Sequence, residues 1–294
     1  MDDDKGLLAD RFESNRAHLR GVAYRMLGSV TEADDAVQEA WLRLNRTDSA
    51  AVENLRGWLT TVVARVCLDM LRTRRSRREE PFEGHVPEPV VTAWGAADPE
   101  HEAVLADSVG LAMLIVLERL APAERLAFVL HDMFAVPFDE IAPLVGRTPT
   151  AARQLASRAR RRVQGAAPVA DADLAAQQRV VEAFVAASRD GDIAGLVAVL
   201  DPDVVLRVDF GPAHAETQEV RGAEQVAGQA QRFAGLAPFA RRALVNGAPG
   251  AVVVPRGRPY AVLAFTVTGG RIVEFDVLAD PERVARLDLS AVAA

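Results

Sequence analysis

In the first part of the chain, apolar residues recur at the three-and-four spacing of an amphipathic helix. Leu8, Phe12, Leu19, Val22, Ala23, Met26 and Leu27 mark one such face between Leu7 and Leu27, and Gly28-Ser29 breaks it. Thr31 is then expected to cap a second helix, with Asp34 three residues on, running to about Leu44. Residues 45–53 are small and polar and read as a loop. Asn54 is placed to cap a third helix, Leu55–Arg75, with Leu59, Val62, Val63, Val66 and Leu71 inward. Between Glu79 and His101 the periodicity lapses and Pro81, Pro87, Pro89 and Pro99 appear, so this stretch reads as an extended linker. A second helical unit runs from Val104 to about Val163, with Pro122, Pro137 and Pro149 each suited to a first helical turn. After an Ala/Pro hinge at 166–173 the period changes. Helices at Leu174–Ser188 and Ile193–Leu200 precede strand-like runs at Val204–Phe210, Ala251–Val254, Tyr260–Thr268 and Arg271–Leu278. Thr268-Gly269-Gly270-Arg271 is a hairpin signal. The pattern predicts a multidomain chain with all-α domains over 7–76 and 104–165, a linker over 77–103 and an α+β domain over 174–290.

Composition narrows the class. Of 294 residues, 50% are apolar and 26% charged, as in ordinary globular domains. No apolar run approaches the roughly 20 residues that cross a bilayer, and Met1-Asp2-Asp3-Asp4-Lys5 is acidic where a secretory leader is basic. A cytoplasmic protein without membrane attachment is expected. Cys67 stands alone within an apolar helical face, which points to packing; no metal and no cofactor are expected. The net charge of −7 hides two basic stripes: Arg72, Arg74, Arg75, Arg77 and Arg78, and the six arginines with no acid between Arg147 and Val163. An acidic chain with confined basic stripes fits contact with DNA at defined places.

The strongest local signal is Phe138-Asp139-Glu140-Ile141-Ala142-Pro143-Leu144-Val145-Gly146-Arg147-Thr148-Pro149-Thr150-Ala151-Ala152-Arg153. A helix, a glycine turn and a Thr-capped basic helix spell a helix-turn-helix. Ile141, Leu144, Val145 and Leu155 are expected to pack the two helices. Thr148, Thr150, Arg153, Gln154 and Ser157 come early enough to reach base edges, and Arg158, Arg160, Arg161 and Arg162 follow at phosphate positions. The competing reading is an amphipathic helix with a solvated arginine face.

Leu120-Ala121-Pro122-Ala123-Glu124-Arg125, Phe138–Ala142 and Ala151-Ala152-Arg153 followed by Ser157-Arg158-Ala159-Arg160 resemble region 4 of bacterial sigma factors, which implies recognition of the −35 promoter element. Leu19-Arg20-Gly21-Val22-Ala23-Tyr24-Arg25-Met26-Leu27-Gly28 and Ala33-Asp34-Asp35-Ala36-Val37-Gln38-Glu39-Ala40-Trp41-Leu42 resemble sigma region 2. The resemblance is to the extracytoplasmic-function (ECF) group. It implies that Asp34, Asp35, Gln38, Glu39 and Trp41 dock on core RNA polymerase at the β′ clamp helices, with region 4 meeting the β flap. A solvated acidic face over a core Trp41 is the competing reading. Asn45, Arg56, Trp58, Arg65, Arg72 and Arg75 would contact the −10 element, where unstacked bases need aromatic surfaces beside positive charge.

The last third resembles the SnoaL-like family, a cone of curved sheet and helices around a pocket. The matching stretches are Val180–Phe184, Asp190-Gly191-Asp192, Leu200–Leu206, Val220-Arg221-Gly222 and Arg271–Asp276. Arg207, Asp209, His214, Tyr260 and Asp276 are candidate pocket residues, for a small ligand or as satisfied strand-end polars; no catalytic residue is assigned. Sigma factors with this extension carry a Trp-Leu-Pro-Glu-Pro-like linker motif, which His85-Val86-Pro87-Glu88-Pro89 resembles with its first two positions changed. Asp209-Phe210-Gly211-Pro212 departs from their Asp-Gly-Gly-Gly loop, and Asp280-Pro281-Glu282-Arg283-Val284 corresponds to an Asn-Pro-Asp-Lys-Leu-like segment. The resemblance implies an extension that regulates in cis. Val86–Val91 is either a plain spacer or a segment that docks on it. The rival readings are a ligand-responsive helix-turn-helix regulator and a SnoaL-like enzyme with a DNA-binding attachment.

Overall fold

The computed structural model describes residues 2–46, 54–76, 85–94, 110–164, 168–212 and 218–293, and its contacts divide the chain into two compact units. One comprises residues 1–80 and 116–166, the other residues 81–115 and 167–294.

The first unit is helical. α1 (Asp2–Leu27), α2 (Val30–Leu44) and α3 (Leu55–Ser76) pack on one another around Phe12, Leu19, Met26, Val37, Leu44, Leu59 and Leu68, all fully buried. Each such side chain contributes about 1.5–3 kcal/mol of burial. α2 begins slightly earlier than Thr31 suggests, because Ser29 accepts the Glu32 amide and completes the cap first. Asn54 caps α3 as expected, accepting from the Gly57 amide at 3.0 Å. On α3, Val62 is only half-buried, while Ala64, Cys67 and Leu68 take inward positions. Burial pushes the Cys67 thiol pKa well up, so the group is an inert packing residue.

The later helices are α4 (Leu111–Glu118), α5 (Pro122–Phe128), α6 (Phe138–Val145) and α7 (Pro149–Gln164). α5 runs on into a single π turn, Val129–Met133. Pro122 and Pro149 open their helices, whereas Pro137 stands one position earlier, as the N-cap of α6. The boundary between the units falls within α4, so Leu111–Ile115, read above with the second helical set, are counted in the α+β unit. Within the helical unit, Arg125 of α5 is buried and donates to the Met26 carbonyl of α1 at 2.8 Å. Desolvation drives its pKa down to about 10. Nearby, Arg25 lies 4.9 Å over the Phe134 ring and His18 meets that ring edge-on at 5.2 Å. The two sets of helices thus share one packed body.

The second unit is α+β. Among the described residues its strands are β1 (Val91–Ala93), β2 (Leu200–Asp209), β3 (Gln218–Arg221), β4 (Ala240–Val245), β5 (Ala248–Val253), β6 (Ala261–Thr268) and β7 (Arg271–Leu278), in the order β1-β4-β5-β6-β7-β2-β3. Only β2–β7 is parallel. α8 (Leu174–Asp190), α9 (Ile193–Val199) and α10 (Ala223–Arg232) pack on the sheet over Phe184, Leu196, Val226, Phe265 and Phe275. Short helices α11 (Pro281–Val284) and α12 (Ser290–Ala293) follow the last strand. This matches the expected order of all-α elements followed by an α+β domain.

β1, β3 and β4 lie outside the strands expected from alternation, and β5 starts earlier than Ala251. Pro249 is tolerated in β5 because it precedes Gly250–Ala264, the first β5–β6 pair, and so breaks no ladder there. Residues 85–94, expected as linker, belong to this unit: Val86 is fully buried, and β1 adds to the sheet edge beside β4.

Candidate nucleic-acid interface

α6 and α7 form a helix-turn-helix whose turn depends on Gly146 in the left-handed region, at φ 64° and ψ 42°. Thr148 Oγ1 accepts the Ala151 amide at 3.3 Å and starts α7. Ala152, Ala156, Ala159 and Val163 recur down one side of α7 and are buried; the small residues bring the helix close against its neighbours. Leu155 is half-buried rather than central. The opposite side leaves Thr148, Thr150, Arg153, Gln154, Arg158 and Arg161 exposed, with Ser157 half-buried.

These arginines are not equivalent. Arg153 lies 5.2 Å over the Phe138 ring, which holds the guanidinium at the start of the helix. Among the described residues Arg161 reaches back only to the Ser157 carbonyl, at 3.4 Å. Arg158 and Arg162 bracket Glu124 at 3.2 and 2.8 Å, and Arg160 pairs with Asp132. The basic tail of α7 is therefore partly committed to α5 and its π turn.

On α3, Trp58, Arg65 and Arg72 stand seven residues apart and so share one stripe. Arg65 and Arg72 are exposed and Trp58 is half-buried. Arg56 and Arg75 are also exposed, Arg56 reaching His18 at 3.0 Å, and Asn45 is exposed just past the end of α2. Arg77 and Arg78 lie outside the described residues. On α2, Asp34, Asp35 and Gln38 are exposed, Glu39 is half-buried, and Leu42 leaves 43% of its surface open. Trp41 is half-buried against Phe12, ring centroids 4.9 Å apart. Asp34 pairs with Arg20 at 2.8 Å and Glu39 with Arg43 at 2.9 Å. Asp35, Gln38 and Leu42 make a mixed acidic and apolar stripe around those pairs.

In the α+β unit, Arg207, Asp209, Tyr260 and Asp276 do not gather around one pocket. Leu206 and Val208 line a cavity, so the strand's alternation turns Arg207 and Asp209 to the other face; Phe275 and Val277 do the same for Asp276. Tyr260 alone among those four lines the cavity, and His214 lies outside the described residues. Arg207 instead donates to Asp276 at 3.0 Å and Glu274 at 2.8 Å, with all three buried. Burial by itself would lower the Arg207 pKa; the Glu274 hydrogen bond and the two carboxylate charges outweigh it and hold the pKa above the ordinary value.

Asp209 anchors a second cluster. It is fully buried and accepts from the Gly211 amide at 2.8 Å, the Val86 amide at 2.9 Å and Arg283 Nη1 at 2.6 Å. Arg283 also donates to the Val86 carbonyl, and His85 Nδ1 lies 3.5 Å from the same carboxylate. Gly211, at φ +85°, is required here, since a Cβ would come within 2.5 Å of Asp280 Oδ2. Further along, Asn246 Oδ1 accepts the Val90 backbone N–H, and the Asn246 backbone N–H donates to the Val90 carbonyl. Arg283 falls in the Asp280–Val284 segment singled out by resemblance, whereas Asn246 does not, although Asn246-Gly247 is a hairpin signal for β4–β5.

Among the described residues no group of three or more His, Cys, Asp or Glu is placed to hold a metal ion, and no helix is long and apolar enough to cross a membrane.

Comparison with known proteins agrees with this geometry. Residues 11–77 match the model of sigma-70 region 2, and residues 112–163 that of sigma-70 region 4. The ECF RNA polymerase sigma factor SigJ of Mycobacterium tuberculosis is 42% identical over 287 residues, covering 92% of this chain and 91% of that protein. The probable ECF sigma factor SigI of the same species is 35% identical over 278 residues, covering 92% of each. The crystal structure of M. tuberculosis SigJ aligns at a TM-score of 0.76 and 40% identity, over 96% of this chain and 99% of that one. The chain therefore belongs to the extracytoplasmic-function RNA polymerase sigma factors.

Proposed function

We propose that the two units divide initiation between them: the helical unit engages polymerase and promoter, and the α+β unit sets its strength in cis. The α2 stripe of Asp35, Gln38 and Leu42, flanked by Asp34, Glu39 and Trp41, docks on the β′ clamp helices, an apolar centre ringed by charge. Region 4 meets the β flap. Asn45, Arg56, Trp58, Arg65, Arg72 and Arg75 hold the opened −10 element through stacking beside positive charge. Thr148, Thr150, Arg153, Gln154 and Ser157 read the −35 element, and Arg158 and Arg161 hold its phosphates. The protein works in the cytoplasm and catalyses no reaction of its own.

The observation that carries the regulatory part is the clamp of Val86 between Asp209 and Arg283. Residues 85–94 lie between the two sigma regions in sequence, so their docking on the α+β unit restricts how those regions are held. Regulation then requires two arrangements with different affinity for polymerase or promoter.

The test is run-off transcription with purified core polymerase. Replacing Asp35 and Glu39 by lysine should abolish co-purification with core while leaving helical content unchanged; undiminished binding overturns the interface. Deleting residues 280–294, which removes Arg283, should change transcript yield without changing which promoter is used. Equal yield from the deleted and full chains would make the α+β unit a passenger.

A further inference from the structure

The second half of α7 carries Arg158, Arg160, Arg161 and Arg162, and no acid on the helix answers them. Two acids stand behind it instead, on α5 and on the π turn that follows. The two carboxylate oxygens of Glu124 are divided between two arginines: Oε1 lies 3.2 Å from Arg158 Nε, and Oε2 accepts from Arg162 Nη1 at 2.8 Å. Arg158 and Arg162 are one helical turn apart, so a single carboxylate reaches both. Asp132 Oδ1 accepts from Arg160 Nε at 2.8 Å. The acids lie inside and the cations outside. The side chains of Arg158, Arg160 and Arg162 are 54%, 42% and 59% exposed, against 9% for Glu124 and 19% for Asp132. Arg161 has no carboxylate partner among the described residues. DNA approaching α7 therefore meets the guanidinium groups first, with the carboxylates fixed behind them. Full withdrawal of the arginines would leave Glu124 as a buried, unpaired charge, which is costly.

We propose that Glu124 and Asp132 are positioning residues for DNA contact: fixed counter-charges that hold three arginines of α7 in place and limit the affinity of the helix for DNA of any sequence. Binding to arbitrary duplex comes from phosphate neutralisation, with counterions released for the phosphates met. A cation already answered by a buried carboxylate neutralises less of a phosphate. Four arginines over two acids thus present DNA with roughly two positive charges instead of four. Arg153, at the start of the helix, is steadied by the Phe138 ring and carries no such discount. The free protein accordingly holds DNA weakly through α7, and stable binding draws on the contacts that the polymerase and the −10 element add. The role rests on α7 meeting DNA phosphates, and the salt series below separates failure of that reading from failure of the counter-charges.

The test is fluorescence anisotropy of the full chain with a labelled duplex of arbitrary sequence, across a salt series. Glu124→Gln keeps the shape of the side chain and removes its charge. It should tighten binding about three- to tenfold and steepen the dependence of log K on log salt by about 0.9, as for one more phosphate met. Asp132→Asn, at a more open position where folding is less at stake, should act in the same direction. Arg158→Ala should do the reverse, and Glu124→Gln combined with Arg158→Ala should return affinity and slope to those of the unchanged chain. A merely structural pair gives a different result: lower stability in urea, an unaltered slope and no rescue. An unaltered slope in either single acid variant that keeps its helical content overturns the proposal, as does a double variant that stays at the level of Arg158→Ala. If no chain binds the duplex even at low salt, the reading of α7 as a phosphate-contacting surface fails first, and the counter-charge role falls with it.

Discussion

Arg153 of α7 and Arg207 of β2 carry the same guanidinium in opposite circumstances. Arg153 is exposed and steadied by the Phe138 ring rather than by a carboxylate. Arg207 is buried and bonded to both Glu274 and Asp276. An exposed arginine with open donors can meet a base edge or a phosphate; one held between buried carboxylates ties strands together. The tail of α7 falls between the two cases, since Arg158 and Arg162 share Glu124 while remaining largely exposed. The lesson is that basic residues of similar sequence appearance divide by whether the fold already supplies their acids.

The sharpest break of this contrast is Arg207→Ala, which strands two buried carboxylates. It should cost about 3–5 kcal/mol, seen in urea unfolding of the α+β unit; a loss below about 1 kcal/mol, typical of exposed pairs, would place Arg207 with the surface group. Next is Asp209→Ala, which removes the acceptor of the Val86 amide and the partner of Arg283. Hydrogen exchange at Val86 should accelerate by the equivalent of about 1.5–3 kcal/mol while β6 and β7 stay protected. Arg153→Ala should cost about 1–3 kcal/mol at the −35 element and relax its sequence preference, leaving folding unchanged. Arg161→Ala should weaken all sequences alike and reduce the salt slope by about 1, as for one lost phosphate contact. If Arg153→Ala and Arg161→Ala behave alike in gel shifts, the division along α7 fails.

The smallest effect concerns Asp171, whose exposed carboxylate accepts the Gly270 and Gly269 amides at the β6–β7 turn. Those two hydrogen bonds hold its pKa below the ordinary value. The folded form therefore favours the carboxylate. The stabilisation is complete above the unfolded pKa, about 4, and is lost as pH falls through the lower folded value. An NMR pH titration should show the Gly269 and Gly270 amides shifting at that lower pH, and Asp171→Asn should remove the transition. A transition at the ordinary carboxylate pH would remove Asp171 from the pairs that the fold itself saturates.

Local chemistry makes the helix-turn-helix legible in the amino-acid order alone. Gly146, the Thr148 cap and the spacing of Ala152, Ala156 and Ala159 all act within a few residues, and they set the turn, the start and the buried side of α7. The mixed acidic and apolar stripe of α2 and the Trp58–Arg65–Arg72 stripe of α3 follow likewise from helical period. The expected pocket residues do not form one site, because strand alternation puts Leu206 and Arg207 on opposite faces and only register fixes which face meets the helices. β1 and β4 escape the pattern for a related reason: strands of three and six residues carry little period of their own.

By itself, then, the sequence determined the succession of elements, the helix-turn-helix and the family, since caps, turns and periodicity are properties of neighbouring residues. Tertiary structure decided which charges are spent. Glu124 reaches Arg162 across 38 residues, Arg207 reaches Asp276 across 69, and Arg283 reaches Asp209 across 74. It also decided that His85–Trp94 docks, because the apolar surface receiving Val86 and the carboxylate receiving its amide exist only once β2 is paired into the sheet. A buried charge or an added strand is stabilised by partners distant in the chain, and no local pattern records which partners the fold will bring.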